Sequence, residues 1–147
     1  CRDVVVAEMK TVLVVEDDSR IAKALDIRLK AHGYRVVSAP DAVRAMTVAT
    51  GEVPDVVVLD INLPGGNGLM IAERLLNNAL TTDVPVIFIT ASKQPRLRER
   101  AAELSAVAFL EKPFSSADLL DAIDVARSRQ TLQVNSPRRR PAASTSS

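Results

Sequence analysis

The chain has 147 residues, enough for one domain of ordinary size with roughly 20 to 30 residues left for tails, so a collection of domains is not expected. With 47% hydrophobic and 25% charged residues, the composition also excludes wholesale disorder. No apolar run approaches the roughly 20 residues of a membrane span, and no signal-peptide pattern opens the chain, so we expect a cytoplasmic protein without membrane contact. One cysteine and one histidine are too few for a zinc site or an internal disulfide, so any metal must be held by oxygen ligands.

The net charge of +1 conceals an asymmetry along the chain. The segment beyond residue 127 has no acid and four arginines, which are Arg129, Arg138, Arg139 and Arg140. Without these four charges, residues 1–127 carry a net charge of −3. A mildly acidic body argues against nucleic acid as a partner of the folded part.

Five short runs rich in β-branched residues alternate with segments of helical period. In chain order the runs cover residues 12–15, 34–38, 56–59, 86–89 and 107–110. Apolar residues at consecutive positions are typical of strands that are covered on both faces. Between the runs, apolar residues recur at helical spacing, as at Ile21, Leu25 and Leu29, and Pro95 is placed to begin a helix. This β-α order, repeated five times, predicts an α/β domain with one doubly wound parallel sheet of five strands.

The composition also predicts the limits of this domain. Met9 stands just before the first strand, so residues 1–8 are interpreted as an N-terminal extension and residues 9–127 as the domain. Residues 128–147 are polar and contain prolines, and they have too few apolar residues for a core. We therefore expect a disordered tail or linker stub there.

Polar side chains follow four of the five apolar runs. They are Glu16-Asp17-Asp18, Asp60, Thr90 and Glu111-Lys112-Pro113. Because parallel strands end at one edge of a sheet, these groups are expected to converge there, where open α/β sheets bind ligands. Crowded carboxylates need a cation nearby, and the candidates are Lys112 and Mg²⁺. Asp60 is the best candidate for a nucleophile toward a phosphoryl group, because such a transfer depends mainly on positioning and charge neutralisation.

Taken singly, each of these segments has a simpler interpretation. The run Glu16-Asp17-Asp18 could be a helix entry, and Asp60 could be a turn residue. Asp18 itself is expected to cap or begin the first helix. Their joint occurrence in this order and spacing favours a common site.

Together these segments resemble the receiver domain of two-component response regulators. The resemblance covers about residues 10 to 127, with 30 residues from Asp60 to Thr90 and 22 from Thr90 to Lys112. The matching segments are Val-Val-Glu16-Asp17-Asp18, Leu59-Asp60-Ile61-Asn62-Leu63-Pro64-Gly65-Gly66-Asn67-Gly68, Ile89-Thr90-Ala91-Ser92 and Phe109-Leu110-Glu111-Lys112-Pro113-Phe114. The resemblance implies a flavodoxin-like (β/α)5 fold with strand order 2-1-3-4-5.

The resemblance also implies roles at the phosphoacceptor. Asp60 would accept a phosphoryl group from a sensor histidine kinase or a histidine phosphotransfer protein. Mg²⁺ would be bound by Asp17, by Asp60 and by the backbone carbonyl of Asn62, while Glu16 would act through water. The chain would then be a switch rather than an enzyme, catalysing only its own phosphorylation and dephosphorylation.

Further roles in the resemblance concern the response to phosphorylation. Thr90 would bond to the phosphoryl group and reorient with it, and Lys112 would form an ion pair with the phosphate. Phe109 stands at the position of the family's switch aromatic. Its ring can turn between an exposed and a buried position, but without a hydroxyl it cannot form a hydrogen bond in either one. The responding face would be residues 95–127, which would bind a downstream protein or a second copy of the chain.

Two other functions are compatible with an aspartate at the end of a strand. A phosphohydrolase of the haloacid dehalogenase type also has an aspartate nucleophile. In that family the nucleophile belongs to an Asp-x-Asp pattern after the first strand, and the second Asp serves as general acid. Here Asp60-Ile61-Asn62 follows the third run and lacks the second acid. A structural pseudo-receiver that never takes phosphate is disfavoured because no site position has been lost. The chain is expected to be a stand-alone receiver or the receiver of a longer regulator.

Overall fold

The structure, a computed structural model, describes residues 10–63 and 66–135. Its main strands are β1 Thr11–Val15, β2 Arg35–Ala39, β3 Val56–Asp60, β4 Val86–Thr90 and β5 Ala108–Glu111. Its helices are α1 Ser19–Ala31, α2 Ala42–Glu52, α3 Gly68–Leu76, α4 Pro95–Glu103 and α5 Ser116–Asn135. Between β3 and α3, two short strands of two residues each, Asn62–Leu63 and Gly66–Asn67, pair antiparallel. The predicted alternation of strands and helices is therefore confirmed.

The strands form one parallel sheet in the order β2-β1-β3-β4-β5. This confirms the doubly wound fold and the strand order that the resemblance implied. The order reverses between β1 and β3, so the loops after these two strands leave in opposite directions and open a crevice at the carboxyl edge.

Each face of the sheet carries its own core. On one face α2, α3 and α4 pack against inward side chains that include Leu13, Leu59 and Phe88. On the other face α1 and α5 pack against a set that includes Val14 and Ile87. Every residue of β3 and β4 is buried, as expected for central strands between two helical layers.

The last helix is longer than the sequence predicted. It continues to Asn135, past the domain boundary expected at residue 127 and into the segment expected to be disordered. Residues 128–135 contain neither proline nor glycine, so nothing in their covalent geometry stops a helix. Asn135 is followed by Ser136-Pro137, and a residue before proline disfavours the helical conformation. Residues 1–9 and 136–147 lie outside the described residues, so the extension and the rest of the tail stay predictions.

None of the helices in the described part of the chain is long and apolar enough to cross a membrane.

Candidate functional site

The polar groups that follow the strands converge at the carboxyl edge of the sheet. Glu16 follows β1, Asp60 ends β3, Thr90 ends β4 and Lys112 follows β5. Glu16 and Asp60 are 3% exposed and Thr90 is fully buried. Buried polar groups at the end of apolar strands require partners, because leaving them unpaired is costly.

Lys112 supplies the positive charge of this cluster. Its Nζ lies 2.8 Å from Glu16 Oε1 and 3.2 Å from Asp60 Oδ2, and its side chain is only 18% exposed. The three residues are separated by dozens of positions in the chain, and the parallel order of β1, β3 and β5 brings them together. In this arrangement Lys112 neutralises part of the charge of two carboxylates.

Burial decides the protonation behaviour of the cluster. Burial raises the pKa of Glu16 to about 7, and the neighbouring Asp60 adds to this, while the hydrogen bond from Lys112 acts in the opposite direction. For Lys112, burial alone would lower the pKa, but the hydrogen bond to Glu16 and the charge of Asp60 together raise it above its ordinary value. The Lys112 ammonium therefore stays charged, whereas the ionised form of Glu16 is less favoured than that of an ordinary glutamate.

The carboxylates fit a divalent cation. Oxygens of Glu16, Asp17 and Asp60 all lie within 4.8 Å of one another, with Asp17 exposed and the other two buried. Ligands on opposite sides of Mg²⁺ are about 4 Å apart, so oxygens at this spacing can share one ion with water completing its shell. Hard carboxylate oxygens with an exposed member are the donor set that Mg²⁺ prefers.

Asp18, the third acid of the run, does not belong to the cluster. Its side chain caps α1 by accepting hydrogen bonds from the backbone N–H groups of Arg20 and Ile21, which confirms the role expected for it. Its own backbone N–H donates to Glu16 Oε2 at 3.1 Å. The start of α1 thus helps to orient Glu16.

Asn62 and Thr90 also face each other at this edge. The Asn62 backbone N–H donates to Asp60 Oδ1 at 3.0 Å, and the Asn62 side-chain amide donates to Thr90 Oγ1 at 3.4 Å. The sequence suggested a role for the Asn62 carbonyl but not this side-chain contact.

Phe109 lies away from the acid cluster, half-buried on β5. The Arg98 guanidinium is 4.7 Å from the centre of its ring, and Arg98 and Lys93 lie 3.5 and 3.4 Å from Glu111. Glu111 is among the polar residues that the sequence places at the sheet edge, and its i, i+2 spacing from Phe109 on β5 puts both on one face. The contact of Arg98 with this pair is not predicted by the sequence.

An apolar groove of about 700 Å³ opens beside the acid cluster, between α1 and α5. Its walls include Ile21, Leu25, Phe114 and Leu120, and Lys112 lies at its end nearest the cluster. A protein that reaches Asp60 from this side would therefore find apolar surface to contact.

Comparison with known proteins identifies the family. The sequence model of one protein family, the response regulator receiver domain, matches residues 12–124 of this chain. The chain belongs to the response regulator receiver domain family. The receiver domain is a signalling domain, and the resemblance drawn from the sequence is thereby confirmed.

Two regulators are similar to this receiver domain in sequence. One is the phosphate regulon transcriptional regulatory protein PhoB of Pseudomonas aeruginosa, 33% identical over 128 residues, which are 87% of this chain and 54% of that protein. The other is the transcriptional regulatory protein PdtaR of Mycobacterium tuberculosis, 36% identical over 121 residues, which are 82% of this chain and 58% of that protein. The chain thus spans little more than half the length of these relatives.

Solved structures agree with the fold. A CheY-like response regulator receiver domain protein from Methanospirillum hungatei has a TM-score of 0.81 and 25% identity, covering 86% of this chain and 99% of the other. The non-phosphorylated HemR receiver domain of Leptospira biflexa has a TM-score of 0.74 and 34% identity, covering 81% and 94%. Both match nearly the whole of a single receiver domain.

Proposed function

We propose that this receiver domain is a phosphorylation-dependent switch in which Asp60 accepts a phosphoryl group. The observation that supports this most strongly is the setting of Asp60 at the carboxyl edge. Its carboxylate is within hydrogen-bonding distance of Lys112 and shares a cation-sized cluster with Glu16 and Asp17.

The chemistry needs little from the protein beyond position and charge. One carboxylate oxygen of Asp60 bonds to phosphorus as the phosphorus–nitrogen bond of a phosphohistidine breaks, and the imidazole leaves with the bonding electrons. When bound, Mg²⁺ held by Asp17, Asp60 and the Asn62 carbonyl, with Glu16 acting through water, would neutralise charge on the phosphoryl oxygens. Lys112 is placed to form an ion pair with the same oxygens.

The donor in this proposal is a sensor histidine kinase or a histidine phosphotransfer protein in the cytoplasm. The exposed Ala91 leaves room next to Thr90, and the apolar groove between α1 and α5 offers a contact surface. Both features support access by a protein that carries a phosphohistidine.

The output of the switch is a protein contact on residues 95–127. This face contains α4, the first part of α5 and β5, which is an edge strand of the sheet. Thr90 and Phe109 link it to the acid cluster, because β4 and β5 are hydrogen-bonded neighbours. The occupant would be a downstream protein or a second copy of this chain, rather than nucleic acid or a membrane.

Intact-mass measurement after incubation with acetyl phosphate and Mg²⁺ tests the phosphoacceptor. We expect a gain of one phosphoryl group in the wild-type chain, loss of that gain in Asp60→Asn, and an unchanged gain in Asp55→Asn. Asp55 is a matched control because it precedes the same strand at the opposite edge, where its Oδ2 accepts from the Thr11 N–H at 2.8 Å. An unmodified wild-type mass, or equal modification of Asp60→Asn, would refute the proposal.

A further inference from the structure

A chain of hydrogen bonds joins the loop after Asp60 to the loop after Thr90. The Asn62 backbone N–H donates to Asp60 Oδ1 at 3.0 Å, and the Asn62 side-chain amide donates to Thr90 Oγ1 at 3.4 Å. The Ser92 backbone N–H donates to the same Thr90 oxygen at 3.0 Å. The Thr90 hydroxyl therefore accepts one bond from each loop.

We infer that the Asn62 side chain is a positioning residue that holds Thr90 in its unphosphorylated place. Thr90 is fully buried, so water cannot easily replace a lost partner of its hydroxyl. The Ser92 donor is a backbone group of the same loop and travels with Thr90, whereas Asn62 belongs to the other loop. Among the described residues, the bond from Asn62 is the one that ties the Thr90 hydroxyl to the loop after Asp60, so it resists a movement of that hydroxyl relative to Asp60.

This inference rests on the proposed phosphoryl switch at Asp60. If the Thr90 hydroxyl turns toward a phosphoryl group on Asp60, it must leave the Asn62 amide. The amide then favours the unphosphorylated arrangement, and it lowers the affinity for any phosphoryl mimic that requires Thr90 to move. Asn62 acts through Thr90, so its effect must vanish when the hydroxyl is absent.

The size of the effect follows from the bond. One hydrogen bond between neutral groups contributes about 1 kcal/mol net, which corresponds to about fivefold in an equilibrium constant. At 3.4 Å this bond is at the long end of the range, so we expect a two- to fivefold effect.

Calorimetric titration of the full chain with beryllofluoride in Mg²⁺ tests the inference through a double-mutant cycle. Asn62→Ala and Asn62→Ser should each bind the mimic two- to fivefold more tightly than wild type. The same Asn62→Ala change in a Thr90→Ala background should have no effect. Asn78→Ala is the matched control and should match wild type, because among the described residues the Asn78 side chain bonds to the nearby Leu80 N–H and to no other group.

The outcomes separate the inference from the function on which it rests. Wild-type protein that does not bind beryllofluoride would count against the proposed function itself. Binding by wild type with unchanged or weaker binding by both Asn62 variants would overturn the inference alone. An equal gain in the presence and absence of the Thr90 hydroxyl would also overturn it, since Asn62 would then act by another route.

Discussion

Among single residues, Lys112 has the largest share in keeping two buried carboxylates next to each other. Taking a carboxylate out of water costs several kcal/mol, and a cation at hydrogen-bonding distance offsets that cost. Lys112 contacts both Glu16 and Asp60 from a side chain that is itself mostly buried. Removing its charge would leave both acids without a positive neighbour among the described side chains that they contact.

Replacement of Lys112 by glutamine should therefore lower the free energy of unfolding. We expect a loss of about 2 to 3 kcal/mol in urea denaturation with EDTA, because two buried acids lose their shared cation. The matched control is Lys93→Gln, whose Nζ is 3.4 Å from Glu111 on a side chain that is 69% exposed. An exposed pair of this kind contributes little, so its loss should stay within about 0.5 kcal/mol. Equal losses in the two variants would contradict this account.

Among the elements, the joint between β3 and α3 sets the position of Asp60. The helix begins at Gly68, whose backbone N–H donates to the Ile61 carbonyl at 2.7 Å. A Cβ atom at Gly68 would collide with the Asp60 carbonyl oxygen and lie 2.8 Å from the Ile61 Cα. Only glycine lets the helix start this close to the strand that carries Asp60.

Alanine substitutions at two glycines should therefore have opposite effects. Gly68→Ala should destabilise the domain by about 1 to 3 kcal/mol and reduce phosphorylation from acetyl phosphate, because the collision displaces the backbone of Asp60. Gly51→Ala, inside α2, should stabilise it by about 0.5 to 1 kcal/mol, since no atom outside the adjacent backbone of the helix lies within 4 Å of the new Cβ. Urea denaturation and intact mass measure both effects. A Gly68→Ala chain with wild-type stability and modification would show that the close approach is unimportant.

Across the whole molecule, the strand order gives the proposed phosphoryl signal a restricted route away from Asp60. Asp60 lies on β3, and its neighbours toward one edge of the sheet are β4 with Thr90 and β5 with Phe109. Toward the other edge lie β1 and β2, and β2 carries none of the predicted site residues. A rearrangement that starts at Thr90 is therefore expected to spread toward β5 and the residue 95–127 face.

Hydrogen exchange with and without beryllofluoride and Mg²⁺ can follow this route. We expect altered exchange in peptides from residues 88–114 and unchanged exchange in residues 35–52, which cover β2 and α2. Asp60→Asn lacks the carboxylate to which the mimic is proposed to bind, so its exchange in residues 88–114 should not change. Equal changes at both edges of the sheet, or changes limited to residues beyond 127, would exclude the proposed output face.

Much of this molecule could be predicted from local patterns. Runs such as residues 56–59 and 86–89 are apolar at every position, too short for a helix and rich in β-branched residues, and this combination favours strands covered on both sides. The site residues follow from the same patterns, because Glu16, Asp60 and Thr90 come directly after such runs, Lys112 comes one residue later after another, and parallel strands end at one edge. By contrast, the sequence does not predict that α5 continues to Asn135, because helix formation beyond the core depends on the absence of helix-breaking residues rather than on apolar periodicity.

The order and chemistry of the elements were therefore determined by the sequence itself, since strand composition, helix period and the polar residues at strand ends are local properties. Only the tertiary structure decided which side chains meet. The Asn62 amide reaches Thr90 across 28 positions, Lys112 lies between Glu16 and Asp60, and Arg98 covers Phe109. Such contacts depend on how far each loop folds over the sheet edge and on how closely α3 approaches β3. Those distances are set by packing among distant segments, which no local pattern encodes.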